Sequence, residues 1–190
     1  MVNWPEFVPS GILRRLAEAE VDFVVVGGVA VVLHAIPRFT QDLDICYAPD
    51  QENLDALGRV LVELEAKLAG IEESVPFVPD GRTLRRTQIL CLETSDGPLD
   101  LLANPAGAPP YAKLRERAEP MDVGGFTILV ASIDDMISMK EAAGRGQDIV
   151  DVESLQIARR RRGGGGQRAR ARTRARGARA RRAPRRARPR

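Results

Sequence analysis

The chain has 190 residues, of which 44% are hydrophobic and 4% are aromatic, so one buried core is possible and a base-stacking nucleic-acid binder is disfavoured. Its two cysteines exclude a disulfide scaffold. No apolar run reaches the roughly 18 residues of a membrane span, and the N-terminus lacks the pattern of a signal peptide, so we expect a cytoplasmic protein without a membrane partner.

The net charge of +3 conceals two segments of opposite charge. Residues 159–190 contain 16 arginines and no acidic residue, whereas residues 1–158 contain 13 basic and 26 acidic residues, a net charge of −13. We predict a folded domain over 1–158 and a disordered, arginine-rich tail over 159–190. Two interpretations of the tail stay open: an arm that binds RNA or another nucleic acid through its phosphates, or a GC-rich gene translated in the wrong frame.

The first half of the acidic domain alternates predicted helices and strands. Ser10 is a candidate cap for a helix over 11–19, and a β-branched run predicts a buried strand over 22–26. A compact apolar segment predicts a buried helix over 29–36. Polar and apolar residues then alternate over 41–47, which is typical of a strand, and Asp50 precedes a leucine-striped helix that we expect to end at about Leu68.

The second half continues the mixed pattern. Strands are predicted over 87–93 and 99–102, joined by a hairpin turn at Asp96-Gly97, and another over 125–130. Ser132 and Asp135 form a capping-box pattern for a helix that Gly144 ends, and a last helix is predicted over 148–157. The fold class that follows is mixed α/β, with a mixed sheet flanked by helices.

Three features point to phosphate and metal chemistry. Gly27 and Gly28 lie between a strand and a helix, where glycines let the backbone approach a phosphate and the helix N-terminus offers unpaired N–H groups. Asp42 and Asp44 share one face of a strand, about 7 Å apart from a rise of roughly 3.3 Å per residue, which suits joint coordination of Mg²⁺. Asp100 lies among leucines, where an unpaired carboxylate is costly and a metal ion would account for it.

This ordered set resembles the nucleotidyltransferase superfamily, and in particular its minimal and abortive-infection AbiEii-like toxin branches. That superfamily has a glycine turn, then Asp-x-Asp on a strand, then a third carboxylate on a later strand. Here 13 residues separate the glycine pair from Asp-Leu-Asp, and Asp100 matches the third carboxylate. Segments 38–45 and 132–151 also resemble the toxin branch, so the resemblance covers about 11–158.

The resemblance implies a metal-dependent enzyme that transfers a nucleoside monophosphate from an NTP to a hydroxyl or phosphate, releasing pyrophosphate. The catalytic and metal-binding carboxylates would be Asp42, Asp44 and Asp100, with Mg²⁺ or Mn²⁺ as the ion. The nucleotide-binding residues would be Gly27, Gly28, Arg38, Thr40 and Lys140. The acceptor stays open between RNA, protein and a small molecule, and the toxin branch implies an antitoxin-type partner.

Two alternatives to an active enzyme stay open. One is a catalytically silent relative that binds nucleic acid or a partner protein. The other is a truncated or frame-shifted product whose domain is only marginally stable. Retention of all three family carboxylates favours the enzyme over the silent relative.

Several candidate residues also have purely structural interpretations. Lys140 can be an ordinary surface lysine, and Asp100 can pair with a nearby arginine, Arg85 or Arg86. A mutual ion pair would explain Arg145 and Asp148. The residues expected to have structural, mostly buried positions are His34, Cys46 and Cys91.

Overall fold

The computed structural model describes residues 9–35, 39–71 and 77–162, which form seven helices and seven strands. The helices are α1 (Pro9–Glu18), α2 (Gly27–His34), α3 (Gln51–Glu63), α4 (Gly81–Arg86), α5 (Tyr111–Arg117), α6 (Ile133–Ala143) and α7 (146–162). The strands are β1 (Phe23–Val26), β2 (Leu43–Tyr47), β3 (Lys67–Leu68), β4 (Ile89–Thr94), β5 (Gly97–Leu102), β6 (Glu119–Asp122) and β7 (Thr127–Val130). None of the helices in these ranges is long and apolar enough to cross a membrane.

The strands form one sheet in the order β3-β4-β5-β2-β1-β7-β6. The pairs β2–β5 and β1–β7 are parallel and the other four are antiparallel, so the predicted mixed α/β class is confirmed. Asp44 on β2 lies opposite Val26 on one side and opposite Asp100 on the other. This register gathers the end of β1, the start of β2 and the middle of β5 at one place.

Burial differs between the centre of the sheet and one of its sides. Every residue of β1 is buried, whereas in β4 and β5 only every second residue is buried. An uninterrupted apolar run such as 23–26 suits a strand covered on both faces, and alternation suits a strand covered on one face. Helix α2 packs on β1, β2 and α6, while among the described residues the second face of β4 is exposed and that of β5 is half-buried.

Two helix caps confirm predictions made from local sequence. The Asp50 carboxylate accepts a hydrogen bond from the Asn53 backbone N–H at 3.0 Å and starts α3. Ser132 caps α6 by accepting from the Asp135 backbone N–H at 3.2 Å, and Gly144 ends that helix with a left-handed φ of 64°. Because these contacts span at most four residues, the sequence pattern is sufficient to identify them.

Other element boundaries differ from the prediction. Helix α3 ends at Glu63 rather than near Leu68, because Leu68 belongs to β3 and pairs with Leu92 of β4. Helix α2 begins at Gly27 rather than at residue 29, so the glycine pair forms its first turn. The elements α4 and α5 are absent from the prediction because each is too short, at 6 and 7 residues, for a recognisable period. Strand β6 is absent because its sequence, Glu-Pro-Met-Asp, lacks the β-branched and aromatic residues typical of a strand.

The last helix is longer than predicted and includes the first residues assigned to the tail. Helix α7 continues to residue 162, four residues beyond the expected boundary. Arg159 pairs with Asp134 at 2.7 Å, and Arg162 pairs with Glu119 at 2.6 Å. The expectation of disorder is therefore wrong for 159–162. The prediction for 163–190 lies outside the described residues.

Candidate active site

The turn between β1 and α2 brings the backbone against an aspartate. Gly27 has a φ of 61°, and a Cβ on it would overlap the Asp44 carboxylate, so the close approach requires glycine. The Gly28 backbone N–H donates to Asp44 Oδ2 at 3.4 Å. Val26, which precedes the helix, provides no side-chain cap, so first-turn N–H groups are left for an anion.

Three aspartates lie on the two strands beside this turn. Asp42 directly precedes β2, and Asp44 lies opposite Asp100 in the β2–β5 pair. Burial, followed by the charges of Asp42 and Asp100, raises the pKa of Asp44 from 3.8 to about 6. Burial and the charge of Asp42 also raise the pKa of Asp100. The structure thus brings the three carboxylates named from sequence close enough for the charge of Asp42 to disfavour ionisation of both Asp44 and Asp100.

Thr40 and Arg38 precede the aspartate pair in the chain. The Thr40 hydroxyl donates to Asp42 Oδ1 at 3.2 Å, so it orients that carboxylate. Arg38 lies outside the described residues. Thr40 is therefore placed at the aspartates, and its contact with a nucleotide stays a prediction.

Cys91 is exposed, so the prediction that it belongs to the core is wrong. It lies on the exposed face of β4 together with the apolar Ile89. Because residues on both faces of this strand are apolar, the sequence does not show which face is exposed. Cys91 lies opposite Asp100, and its thiol donates a hydrogen bond to that carboxylate. Partial burial and this hydrogen bond raise the pKa of Cys91 to about 11, so the thiol stays protonated. Arg85, an alternative partner for Asp100, donates to Gln51 at 2.7 Å.

Lys140 is buried between α6 and α7, which corrects its interpretation as a surface lysine. Its Nζ lies 2.9 Å from Asp148 Oδ1 and 3.0 Å from Asp151 Oδ2. Arg145 pairs with the other Asp148 oxygen at 2.9 Å, as the sequence interpretation allowed. The charge of Lys140 opposes the rise in the pKa of Asp44, so the lysine lies near enough to that aspartate for their charges to interact. Its Nζ is already engaged, so a direct contact with nucleotide stays a prediction.

His34 and Cys46 are buried, as predicted. His34 Nε2 lies 2.7 Å from the Ala131 carbonyl oxygen, and its Nδ1 lies 3.2 Å from the Arg162 guanidinium. A neutral ring that donates from Nε2 and accepts at Nδ1 satisfies both contacts. Burial lowers the pKa of His34 and raises that of Cys46 to about 12, so both groups are neutral at pH 7.

The aspartates have the oxygen donors that a hard cation prefers, yet they do not surround a common point. Within the described ranges, no group of three or more His, Cys, Asp or Glu side chains is arranged to hold a metal ion. The buried Asp44 carboxylate, with two like charges nearby, is nevertheless a group that a cation would stabilise. Hence the donor set fits a metal only if other ligands complete the coordination.

A comparison with protein families decides the class of the molecule. The family described as "Nucleotidyl transferase AbiEii toxin, Type IV TA system" matches residues 11–188. The chain belongs to this family. The AbiEii-family chain is thus a nucleotidyltransferase of the toxin class found in type IV toxin–antitoxin systems. Among curated proteins, none matches it significantly.

Two solved structures share the fold of this AbiEii-family protein. ANT(2″)-Ia in complex with adenylyl-2″-tobramycin is 16% identical, with a TM-score of 0.53 over 88% of this chain and 96% of that chain. The lincosamide antibiotic adenylyltransferase LnuA, bound to lincomycin, is also 16% identical, with a TM-score of 0.55 over 78% of this chain and 94% of that chain. At this identity the likeness shows a nucleotidyltransferase-type fold alone.

Proposed function

We propose that this AbiEii-family nucleotidyltransferase transfers a nucleoside monophosphate from an NTP to an acceptor hydroxyl or phosphate and releases pyrophosphate. The observation that carries the proposal is the contact of Asp44 with the Gly27-Gly28 turn, with Asp42 two residues before it in the chain and Asp100 opposite it on β5. A glycine turn at a helix N-terminus binds phosphate, and adjacent carboxylates bind the cation that accompanies phosphate. Both requirements of nucleotidyl transfer therefore meet at one place on the sheet.

Asp42 and Asp44 would hold a divalent cation, Mg²⁺ or Mn²⁺, with Asp100 as a further ligand or as a base. Mg²⁺ usually binds through one or two carboxylates together with substrate phosphates, so a ready-made group of three protein ligands is not required. When bound, the ion would lower the pKa of the attacking hydroxyl and offset charge on the phosphates. Nucleotide and metal are thus expected to bind together rather than separately.

The residues of the chain orient the reacting groups and take up a proton. N–H groups of the first turn of α2 hold the β- and γ-phosphates, with Gly27 and Gly28 allowing their close approach. The acceptor oxygen forms a bond to the α-phosphorus as the bond from that phosphorus to the leaving pyrophosphate breaks. Asp100, whose pKa is raised by burial, accepts the hydroxyl proton. Arg38, Thr40 and Lys140 are proposed to contact the nucleotide or acceptor.

The test is transfer of label from each of the four α-³²P-labelled NTPs, with Mg²⁺, onto total RNA and total protein. We expect at least one labelled product, and a loss of at least about 100-fold when Asp44 is replaced by Asn. Asp122→Asn is the matched control because Asp122 lies on the edge strand β6, three strands from β2. Absence of product with every NTP would favour the silent relative, and full activity of Asp44→Asn would contradict the metal assignment.

Membership of a type IV toxin family implies an antitoxin partner and an NTP substrate. Binding of RNA or another nucleic acid is a separate proposal that rests on charge alone. Residues 163–190 contain 12 arginines and no acidic residue, whereas residues 1–158 carry a net charge of −13. Any phosphate-backbone binding is therefore expected to come from the arginine-rich segment.

A further inference from the structure

A row of side chains crosses three strands of the sheet at the carboxylates. Asp44 on β2 lies opposite Asp100 on β5, and Asp100 in turn lies opposite Cys91 on β4. Residues directly opposite one another on neighbouring strands project from the same face of a sheet. Cys91 is therefore the next side chain in the row that contains two of the three proposed metal-binding carboxylates.

Each of the three carboxylates accepts a hydrogen bond from a neutral donor. The backbone N–H of Gly28 and the hydroxyl of Thr40 donate to the two aspartates of the Asp-Leu-Asp segment. The thiol of Cys91 donates to Asp100. An arginine or lysine partner would offset the charge of a carboxylate, whereas a neutral donor orients the carboxylate and leaves its negative charge available to a cation.

We propose that Cys91 is a positioning residue for nucleotidyl transfer, and that its thiol holds the Asp100 carboxylate in the orientation that the reaction uses. The inference rests on the proposed function, in which Asp100 is a further metal ligand or the base. An aspartate side chain turns about two torsions, so a hydrogen bond to one of its oxygens also fixes the direction of the other. Orientation matters because a misplaced reacting group slows the chemical step even when the substrate still binds.

Cys91 lies outside the hydrophobic core. It is exposed on β4, as is Ile89 on the same face, whereas the adjacent Leu92 is fully buried on the other face. A free cysteine is more often a buried small hydrophobic residue, so packing does not explain this position and the hydrogen bond to Asp100 does. Because the side chain is exposed, its replacement leaves no cavity in the core, and the variants are expected to fold.

Two substitutions separate the hydrogen bond from the side chain that makes it. Cys91→Ser keeps an O–H donor on the same Cβ, whereas Cys91→Val suits a strand and has no donor. Ile89→Ala is the matched control because Ile89 lies two residues earlier on the same face, opposite Leu102 rather than Asp100. For each full-length protein, kcat and the KM for NTP are measured with Mg²⁺ and the NTP that gives the labelled product.

We expect Cys91→Val to lower kcat by about three- to tenfold, which is the rate equivalent of one neutral hydrogen bond, and to change the KM for NTP by less than about twofold. The KM is expected to hold because the triphosphate is proposed to bind at the turn after β1, on the other side of β2 from β5. Cys91→Ser should keep at least about half of the wild-type kcat, since it retains a donor. The control variant should match the wild type in both constants.

Raman spectroscopy tests the hydrogen bond itself in EDTA, without NTP or metal. The S–H stretching band lies apart from other protein bands, and it moves to lower frequency when the thiol donates to a carboxylate. Cys91→Ser identifies the band of Cys91, because Cys46 is the other of the two cysteines. We expect the Cys91 band to move to higher frequency in Asp100→Ala, which removes the acceptor.

Three results would overturn the positioning role of Cys91. They are equal kcat values for Cys91→Ser and Cys91→Val, a KM for NTP that rises as much as kcat falls, and a Cys91 band that does not move in Asp100→Ala. Any of them, combined with nucleotidyl transfer by the wild type, would refute this inference and leave the proposed function standing. Absence of labelled product from the wild type with every NTP would refute both.

Discussion

Replacement of Asp44 by Asn is expected to stabilise the metal-free protein at neutral and alkaline pH. Asp44 is buried beside two other carboxylates, and its pKa is raised from 3.8 to about 6. This difference corresponds to about 3 kcal/mol of unfolding free energy, at about 1.4 kcal/mol for each pKa unit. Asn has nearly the same size as Asp and keeps an oxygen that can accept a hydrogen bond from the Gly28 N–H, so the substitution creates no cavity.

The sign of the pH dependence follows from a folded-state pKa above the unfolded one. The neutral carboxyl favours folding below about pH 3.8, and that contribution is lost as the pH rises through about 6. The wild type should therefore lose about 1 to 3 kcal/mol relative to Asp44→Asn between about pH 4 and pH 8, with 3 kcal/mol as the upper limit. The variant's melting temperature at about pH 8 should be higher by about 3–10 °C.

The assay is urea denaturation of both proteins in EDTA at about pH 4, 6 and 8, with Asp122→Asn as the control that should show no such trend. Chelation matters because a bound cation would stabilise the wild type and mask the effect. If Asp44→Asn were less stable than the wild type at about pH 8, or if the difference were independent of pH, Asp44 would not be a buried carboxylate held among like charges.

Four further changes test other parts of the site and the chain. Gly28→Val should raise the apparent KM for NTP by at least about tenfold in a folded protein, because a branched side chain blocks the backbone from phosphate; an unchanged KM would make the turn purely structural. Lys140→Met should cost about 3–5 kcal/mol in urea denaturation because it removes the buried cation that both Asp148 and Asp151 contact, and a loss below about 1 kcal/mol would contradict that burial. Neutral His34 stabilises the fold above its unfolded pKa of about 6.5, and this stabilisation is lost as the pH falls through its lower pKa in the folded protein. In thermal melts, His34→Gln should therefore reduce the loss of stability at low pH. An unchanged loss of stability would mean that another group causes it. A chain ending at Arg162 should keep its melting temperature and lose its affinity for RNA. In the full chain, a plot of log affinity against log salt concentration should have a slope of about −0.7 to −0.9 per phosphate contacted. Equal RNA affinity with and without 163–190 would refute the hypothesis that this segment binds nucleic acid.

Local sequence determined most of the longer elements and the candidate carboxylates. The apolar run 23–26 predicts a strand buried on both faces, and Asp50 and Ser132 each cap a helix through a backbone N–H three residues ahead. Such contacts join neighbours in the chain, so composition and spacing are enough to reveal them. The Asp42–Asp44 pair was visible for the same reason, because two residues separated by one position in an extended segment lie on the same side of it.

Tertiary structure alone decided which of these residues meet and which are covered. Cys91 and Leu92 are adjacent in one strand, yet the core covers only the Leu92 face, because successive side chains of a strand point to opposite faces and the core lies on one side of β4. Lys140 occupies an amphipathic helix typical of a surface lysine and is buried only because α7 brings two aspartates against it. Strand order and helix docking depend on contacts between residues far apart in the chain, and their energies are not encoded in any short window of sequence. For that reason the cleft of about 950 Å³ lined by Thr40, Lys67 and Pro98, which come from three separate segments, could be found only in the folded molecule.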